Sequence, residues 1–419
     1  MFLSCDSSLI PTKAPALTNA QQDLPRIPFF HHDLGEAELE ILRQVLAQPI
    51  LTTGAYVERV EELLAELLGA KHALCVTSCT GALHMSLLAL GIGPGDEVIT
   101  TPMTFIATAT AIIEAGARPV FVDVEADTGN IDARKVEAAI TERTRAILPV
   151  HLYGLMADMT ALRAIADRHK LVVIEDAAHC VEGRRDGSRP AALGEAACFS
   201  FYATKNLTCG EGGAIATNDS ELYARLRLLR VHGMTKTASD RAREGYSHWD
   251  MPSFGWKYNM SNVDAALLVP QFDRLAANHN RRRRLAERYV AELAQLPGVR
   301  MPAQHAAGDT MHAHHLFPIW VSRRDDVIAE LAKRKVDAMV NYRAIHTLTY
   351  FRQALGHRRG DFPIAEAIGD STLSLPLYPS MPEWHVPIVV ERLAEAMAVA
   401  ARLRQRQQEV VSETNTNAR

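Results

Sequence analysis

The sequence predicts an α/β fold, in which a mostly parallel seven-stranded sheet is flanked by helices and followed by a smaller C-terminal α+β lobe. Two observations lead to this prediction. Between residues 72 and 217, seven short runs rich in apolar and β-branched residues alternate, for the most part, with stretches of helical spacing. Strands that alternate with helices need crossover connections, and these join parallel strands. After about residue 270, a long charged helix and a mixed set of shorter elements replace this alternation.

The elements of the large domain follow one another in a regular order. A loose polar arm over residues 1–26 precedes two predicted helices, one from Gly35 to about Gln48 and one from Tyr56 to Leu68. The seven strands are then predicted at "HALCV", "EVITT", "PVFVDV", "AILPV", "LVVIED", "ACFSF" and "GAIAT". No helix separates the last two strands, so one of them is expected to be antiparallel.

The smaller lobe begins with a long charged helix, predicted at residues 274–296. The elements expected after it are the strand "HHLFPIWV", the helix "DVIAELAKRK", the strand "AMVNYR", the segment "SLPLYP" and a final helix at 384–403. The sequence therefore divides into a large cofactor-binding domain (27–270), a small domain (271–404) and a polar tail (405–419).

Composition and charge argue against several classes of protein. The net charge is −4, so no overall basic field attracts nucleic acid or anionic lipid. The block "RRRR" at 281–284 is interpreted as the solvated face of a helix. The six cysteines include no Cys-x-x-Cys pair, which indicates reduced thiols in a cytoplasmic protein. The N-terminal segment is a poor signal peptide, and no run of apolar residues is long enough to predict a membrane span.

The ends of the predicted strands carry the residues that suggest chemistry, because ligands of open parallel sheets bind beyond the carboxyl ends of the strands. The first strand ends in "TSCTGALHM". Ser78 and Thr80 there either cap the next helix or, beside the open backbone of Gly81, hold a phosphate at the helix start. The fifth strand ends in Glu175 and Asp176, which serve either as a cap or salt bridge, or as part of a site.

Three further residues complete a set at the same edge. The sixth strand leads to Lys205, which is either a surface lysine or a desolvated amine able to form a Schiff base with an aldehyde. His179 is either a core histidine or a site residue, and Phe105 in "TTPMTFIAT" supplies an aromatic ring. A phosphate holder, a carboxylate and a lysine at one edge match the needs of pyridoxal 5'-phosphate.

The order of these motifs is also informative. From "IPFFHHDLGEAELE" to "SLPLYP", the chain contains "HALCVTSCTGALHM", "RPVFVDVEADTGNID", "VVIEDAAHCVEG", "FSFYATKNLTCGEGGAIAT" and "GWKYNMSNVDAAL". In this order they resemble the DegT/DnrJ/EryC1/StrS family of pyridoxal-phosphate-dependent nucleotide-sugar aminotransferases over nearly the whole chain. The resemblance implies the fold type I architecture of pyridoxal-phosphate enzymes.

The resemblance also implies roles for the residues that match the family's motifs. Lys205, in "TKN", matches the lysine that forms the Schiff base with the cofactor. Asp176 matches the carboxylate under the pyridine nitrogen, and His179 matches a residue that contacts the phenolic oxygen. Phe105 matches the aromatic residue that stacks on the cofactor ring, and Ala178 would face the other side of that ring.

The remaining matches concern the cofactor phosphate. Thr80, Gly81 and Ser200 match the residues that contact it within one subunit. Asn259, in "KYN", matches a residue that reaches the phosphate of the neighbouring subunit, so the family implies a homodimer with shared active sites. Cys79 stands where the family often has glycine, and it is interpreted as a small buried thiol rather than a nucleophile.

The activity implied by the resemblance is a ping-pong transamination from an amino acid, with L-glutamate expected, to a keto-sugar nucleotide. A 4-keto sugar is favoured, because several stretches look closest to the branch that aminates a UDP-4-keto-pentose. Dehydratases of the family carry histidine in place of the Schiff-base lysine, so Lys205 favours transamination. A keto-sugar dehydratase and a non-catalytic regulator of the same fold are the alternatives.

Substrate contacts are the least specific part of the resemblance. The segment "NYRAIHTLTYFR" at 341–352 resembles the sugar-nucleotide segment of that branch. Arg343 and His346 are therefore candidate contacts of the diphosphate, and Tyr350 is a candidate pocket residue, although purely structural roles fit the sequence equally well. The run "HAHH" at 312–315 has no partner cluster, so no metal site is expected.

Overall fold

A seven-stranded sheet forms the centre of the large domain in the computed structural model, which describes residues 26–236, 240, 248–304 and 308–417. Its strands are β1 (His72–Val76), β2 (Glu97–Thr100), β3 (Arg118–Phe121), β4 (Thr144–Ile147), β5 (Val172–Asp176), β6 (Ala196–Ser200) and β7 (Gly213–Thr217). The strand order is β1-β7-β6-β5-β4-β2-β3, and all neighbouring pairs are parallel except the two that include β7. The prediction of a mostly parallel seven-stranded sheet is confirmed.

The antiparallel strand β7 has a direct consequence for the site. Because β7 is antiparallel to both β1 and β6, those two strands run in the same direction. The carboxyl ends of β1, β2, β4, β5 and β6 therefore lie along one edge of the sheet, and the segments that follow them meet there.

Helices cover both faces of this sheet, and polar residues fix where several of them begin. The α-helices of the large domain up to residue 230 are α1 (Glu36–Leu46), α2 (Ala55–Leu68), α3 (Cys79–Ala89), α4 (Ala107–Glu114), α5 (Ala133–Val136), α6 (Met159–His169) and α7 (Ser220–Arg230). The side chains of Ser78, Asp158 and Asp219 accept hydrogen bonds from first-turn N–H groups and cap α3, α6 and α7. The cap at Ser78 places the start of α3 at the carboxyl edge of the sheet.

The helix α8 (Asn262–Leu293) connects the two hydrophobic cores of the chain. Leu268 and Leu275 pack in the core beneath the large sheet, whereas Leu285 and Tyr289 pack in the core of the smaller lobe. The sequence-based boundary between residues 270 and 271 therefore falls inside a continuous helix. A helix that packs in both cores continues across such a boundary.

The smaller lobe is built around a three-stranded antiparallel sheet in the order β10-β9-β8. Its elements are β8 (Val299–Arg300), β9 (Phe317–Val321), α9 (Arg324–Lys333), α10 (Thr349–Leu355), α11 (Pro363–Ser371), β10 (Thr372–Leu375) and α12 (His385–Asn417). The last helix extends beyond residue 403, where the sequence predicted its end. The predicted arm lies, up to residue 25, outside the described residues, and none of the helices that are described is long and apolar enough to cross a membrane.

The strand predicted at "AMVNYR" is wrong. Within residues 338–343 only Met339 forms a β-bridge, in which it exchanges backbone hydrogen bonds with Ser374 of β10. The chain then leaves the small sheet, and Asn341 and Tyr342 line the large cavity of the protein. Asn341 and Tyr342 therefore belong to the wall of the cavity and not to a strand.

The interpretation of "RRRR" as a solvated helix face is wrong for one of its four residues. Arg282 is buried, and its Nη1 atom lies 3.7 Å from Oε1 of the equally buried Glu182. Arg283, by contrast, pairs with Glu287 one turn along the exposed face of α8. Four consecutive residues of a helix point in all directions around its axis, so a run of this length cannot lie on one face.

Candidate active site

A cavity of about 510 Å³ opens at the carboxyl edge of the large sheet, between that sheet and the smaller lobe. The large domain contributes the ends of three strands and the starts of two helices, and the smaller lobe contributes the segments around residues 315 and 341. The sequence-predicted residues that line it are Thr80, Phe105, Asp176, Ala178, His179, Ser200 and Lys205. Seven candidates from four separate motifs thus lie around one space.

Lys205 lies in the turn that follows β6. Its N–H donates to the carbonyl of Tyr202 at 2.9 Å, which folds the chain back after Ser200 and turns the lysine into the cavity. Burial lowers the pKa of the amine to about 8, and the negative charge of Asp176 opposes part of that shift. The neutral, nucleophilic amine is therefore far more abundant near neutral pH than in an exposed lysine.

This lowered pKa predicts how Lys205 reacts in the cofactor-free protein. The rate at which an amine-directed acylating reagent labels Lys205 should rise with pH and reach half its maximum at about 8. Peptide mapping by mass spectrometry identifies the labelled Lys205 peptide. A midpoint near the ordinary lysine value of about 10.4 would contradict the prediction.

Asp176, the last residue of β5, is a buried carboxylate with two donors. Its Oδ2 atom accepts from the Thr108 hydroxyl at 2.7 Å, and its Oδ1 atom accepts from the Ala178 N–H at 3.1 Å. The Thr108 hydroxyl is itself 2.7 Å from that of Thr104. Burial raises the pKa of Asp176, whereas these hydrogen bonds and the charge of Lys205 favour its ionised form. The carboxylate is thus held in one orientation at the cavity wall.

His179 is neutral and has a defined tautomer. The backbone N–H of Tyr153 lies 3.2 Å from Nδ1, and because an N–H can only donate, Nδ1 carries no proton. Burial, with the nearby charge of Lys205, lowers the pKa of the ring well below its ordinary value. The single ring proton therefore lies on Nε2, which donates to the Tyr342 hydroxyl at 3.1 Å.

The start of α3 offers backbone donors to an anion. The Gly81 N–H donates to the capping Ser78 hydroxyl at 3.0 Å, while Cys79 and Thr80 line the cavity. First-turn N–H groups have no partners within the helix, and the helix dipole places positive charge beside them. Gly81 also packs closely, since a Cβ there would lie 3.2 Å from Cδ1 of Tyr258. These features suit a phosphate group.

Five predicted site residues do not line the cavity of their own chain, and one of them is Gly81, whose N–H is bonded to Ser78. Asn259 donates from its side-chain amide to the Thr52 carbonyl at 3.1 Å. His346 is fully buried, and its Nε2 atom lies 3.0 Å from Oε1 of Glu366 in the smaller lobe. The other two, Arg343 and Tyr350, are exposed. Their predicted roles in substrate or partner binding remain predictions.

Sequence reasoning missed the residues of the smaller lobe that line the cavity, among them His315, Asn341 and Tyr342. Tyr342 and Asn341 lie in the segment that was selected for substrate binding, but directly before the residues that were chosen. Thr108 was missed as well. It lies three residues after Phe105, beyond the end of the second predicted strand, and that strand end would have placed it near Asp176.

A sequence model of the DegT/DnrJ/EryC1/StrS aminotransferase family matches residues 32–394. The chain belongs to this family. It is 41% identical over 377 residues to the spore coat polysaccharide biosynthesis protein SpsC of Bacillus subtilis (strain 168), with 88% of this chain and 96% of SpsC covered.

Solved structures agree with this membership. The chain is similar to DesV of S. venezuelae, which was solved in complex with a ketimine intermediate. The two chains are 37% identical, with a TM-score of 0.81, and the match covers 89% of this chain and 98% of DesV. The chain is also similar to DesI, which was solved in the presence of its TDP-sugar product. Here the identity is 31% and the TM-score is 0.82, and the match covers 92% of this chain and 96% of DesI. The predicted family and fold class are confirmed, and the protein is a pyridoxal-phosphate-dependent sugar aminotransferase.

The cavity fits the cofactor that the family implies. Phe105 is a large aromatic side chain that is 55% exposed at the cavity, which leaves its ring free to stack on a planar ligand. The buried Asp176 supplies an anion, the start of α3 supplies donors for a phosphate, and Lys205 supplies an amine with a lowered pKa. Within the described residues, no group of three or more His, Cys, Asp or Glu side chains is arranged to hold a metal ion.

Proposed function

We propose that this aminotransferase moves the amino group of L-glutamate to the keto carbon of a nucleotide-linked keto sugar, with a 4-keto sugar preferred, in a ping-pong reaction. The observation that supports the proposal most directly is the pairing of two groups in one cavity. An amine with a pKa of about 8, that of Lys205, shares the cavity with the buried carboxylate of Asp176. Amine and carboxylate in this combination serve proton transfer at a carbon that becomes acidic on a pyridinium cofactor.

The residues of the chain divide the work of holding the cofactor. Pyridoxal phosphate, when bound, supplies an aldehyde that takes up the amino group and a ring that accepts electrons from the reacting carbon. Phe105 and Ala178 would contact the ring. The carboxylate of Asp176 would keep a proton on the ring nitrogen, since it is already fixed by two donors. Thr80, Gly81 and Ser200 would hold the phosphate beside the start of α3.

Lys205 is proposed as the general base of both half-reactions. Because its pKa is near 8, a useful fraction of the amine is neutral at physiological pH and can take a proton from the reacting carbon. Such positioned proton transfer is worth roughly 10²–10⁴-fold in rate. Nε2 of His179 is fixed as a donor at the other side of the site, because Nδ1 is bonded to the Tyr153 N–H. His179 would donate to the phenolic oxygen, with Tyr342 as its partner in the present structure.

The proposals for the substrate, the assembly and the location of the enzyme have separate support. The TDP-sugar product of DesI supports a nucleotide-linked acceptor for this relative as well. Asn259 lies outside the cavity of its own chain, which supports a homodimer in which it reaches the partner's site. The five described cysteines are free thiols, which supports a location in the cytoplasm.

The proposal is tested with the holoenzyme, glutamate and a panel of keto-sugar nucleotides that differ in nucleotide and in the position of the keto group. Glutamate alone should change the visible absorbance of the cofactor and yield 2-oxoglutarate, and a 4-keto acceptor should then yield an amino sugar identified by mass and stereochemistry. Loss of water from the sugar without amination would identify a dehydratase instead. A protein that binds no cofactor would overturn the proposal in favour of a regulator.

A further inference from the structure

A second histidine, His315, lies against His179 at the cavity wall. Their ring centroids are 4.5 Å apart, and both rings are buried. His315 comes from the smaller lobe just before β9, and its Nδ1 atom lies 3.2 Å from Oδ1 of Asn206. Its Nε2 atom has no hydrogen-bond partner among the described residues, and it is not sealed from the cavity that the ring lines.

The orientation of Asn206 follows from its neighbours. The side-chain nitrogen Nδ2 lies 2.8 and 3.0 Å from the two carboxylate oxygens of Glu182 and 2.9 Å from the Ala313 carbonyl. All three are acceptors, so the NH₂ group must face them and the amide oxygen must face His315. An amide oxygen only accepts, and therefore Nδ1 of His315 carries the ring proton.

A backbone carbonyl and a buried ion pair lie around the Asn206 amide. The Ala313 carbonyl can only accept a hydrogen bond, so it holds the NH₂ group of Asn206 independently of Glu182. Glu182 in turn lies beside the buried guanidinium of Arg282, whose Nη1 atom is 3.7 Å from Oε1. Glu182 and Ala313 together therefore fix which way the Asn206 amide faces.

The two neighbouring histidines consequently have opposite tautomers. His179 carries its proton on Nε2, and His315 carries its proton on Nδ1. Burial and the charge of Lys205 keep the pKa of His315 well below its ordinary value, so its ring is neutral. A ligand that contacts Nε2 of His315 must therefore bring a hydrogen-bond donor.

We propose that Glu182, the Ala313 carbonyl and Asn206 form a buried positioning array that locks His315 with its proton on Nδ1, so that Nε2 accepts a hydrogen bond from a hydroxyl group of the acceptor sugar. The sugar as the ligand rests on the proposed function, whereas the tautomer does not. His315 then selects for hydroxylated acceptors, because its Nε2 atom stays unpaired when the hydroxyl is absent. Glu182 and Asn206 act only through His315.

The first test concerns the tautomer and requires no activity. Cofactor-free protein labelled with ¹⁵N at histidine is studied by NMR at neutral pH, and the His315 signals are assigned by their loss in His315→Gln. We expect a protonated Nδ1 and an unprotonated Nε2. A protonated Nε2 in the unmodified protein would overturn the proposal, whatever the enzyme turns out to transfer.

The second test removes the amide oxygen that holds the Nδ1 proton. Asn206→Leu should move the His315 proton to Nε2 and raise KM for the keto-sugar nucleotide about tenfold with little change in kcat. Arg283→Met, at an exposed residue of α8, is the control and should change neither the tautomer nor KM.

A further variant keeps the proposal testable if Asn206→Leu does not fold. His315→Phe keeps an aromatic ring but removes Nε2, and it should raise KM for the keto-sugar nucleotide in the same way. Circular dichroism and thermal unfolding establish that each variant is folded. An equal loss of rate in the glutamate half-reaction would show that the array supports Lys205 rather than the acceptor site, and it would overturn the proposal.

Discussion

Replacement of Lys205 by alanine is expected to abolish turnover while the protein remains folded. The side chain supplies both the amine that binds the cofactor covalently and the proposed general base, so we expect a loss of at least about 10⁴-fold, the upper range for a positioned proton-transfer group. The measurements are 2-oxoglutarate formation from glutamate and the mass of the Lys205 peptide after borohydride treatment of the holoenzyme. The unmodified enzyme should show the cofactor on that peptide, and the variant should not.

The stability of Lys205→Ala follows from the direction of the pKa shift. Folding lowers the pKa of this amine to about 8, so below that pH the folded chain binds the proton less tightly than the unfolded chain does. The lysine therefore destabilises the fold at neutral pH, and its removal should leave the free energy of unfolding equal or slightly higher. Lys333→Ala, at an exposed lysine, is the control and should retain full turnover. Normal turnover in Lys205→Ala would refute the assigned role.

The sequence alone predicted that several candidate cofactor contacts lie at one edge of the sheet, and the reason is geometric. Asp176, Lys205 and the start of α3 all follow strands that run in one direction, so the order of strands and helices brings them to one edge before any side-chain contact is known. The same argument cannot reach His315 or Tyr342. These residues enter the cavity from the smaller lobe, and no periodicity relates them to a strand end of the large sheet.

Buried polar residues were the hardest to predict, because the sequence shows their charge and not their environment. His346 reads as a candidate diphosphate contact, yet in the structure it is sealed against Glu366, which also accepts the Gly360 N–H at 2.7 Å. Arg282 reads as one of four solvated arginines, yet it is the buried partner of Glu182. In both cases the partner lies on another element, so the sequence alone does not show that the side chain is buried.

The neighbouring carboxylates Glu175 and Asp176 show how the structure separates these roles. Glu175 faces away from the cavity, where it accepts from the Ala191 and Gly194 N–H groups and lies 2.8 Å from Nε2 of His151. It is therefore a structural anchor for the loop before β6. Asp176 alternates to the other face of the strand, as successive residues do, and reaches the cavity. The pair predicts two different outcomes for substitution.

Asp176→Asn is expected to lose activity without losing stability. Asparagine keeps the shape of the side chain and can still accept from Ala178, but it removes the negative charge that would hold the proton on the cofactor ring. Loss of one preorganised electrostatic group is worth roughly 10²–10³-fold in kcat. We therefore expect turnover to fall by that factor when glutamate and cofactor are saturating, in both half-reactions measured by rapid mixing.

The stability of Asp176→Asn distinguishes this role from that of its neighbour. Because folding raises the pKa of Asp176, the folded chain binds this proton more tightly, and the ionised carboxylate destabilises the fold as pH rises above the unfolded pKa. Asp176→Asn should therefore unfold at the same or a higher urea concentration at neutral pH. Glu175→Ala should instead leave two buried N–H donors unpaired and unfold at a clearly lower concentration. If Asp176→Asn unfolded as easily as Glu175→Ala, or turned over normally, Asp176 would be a structural residue and the charge under the ring would have to come from elsewhere.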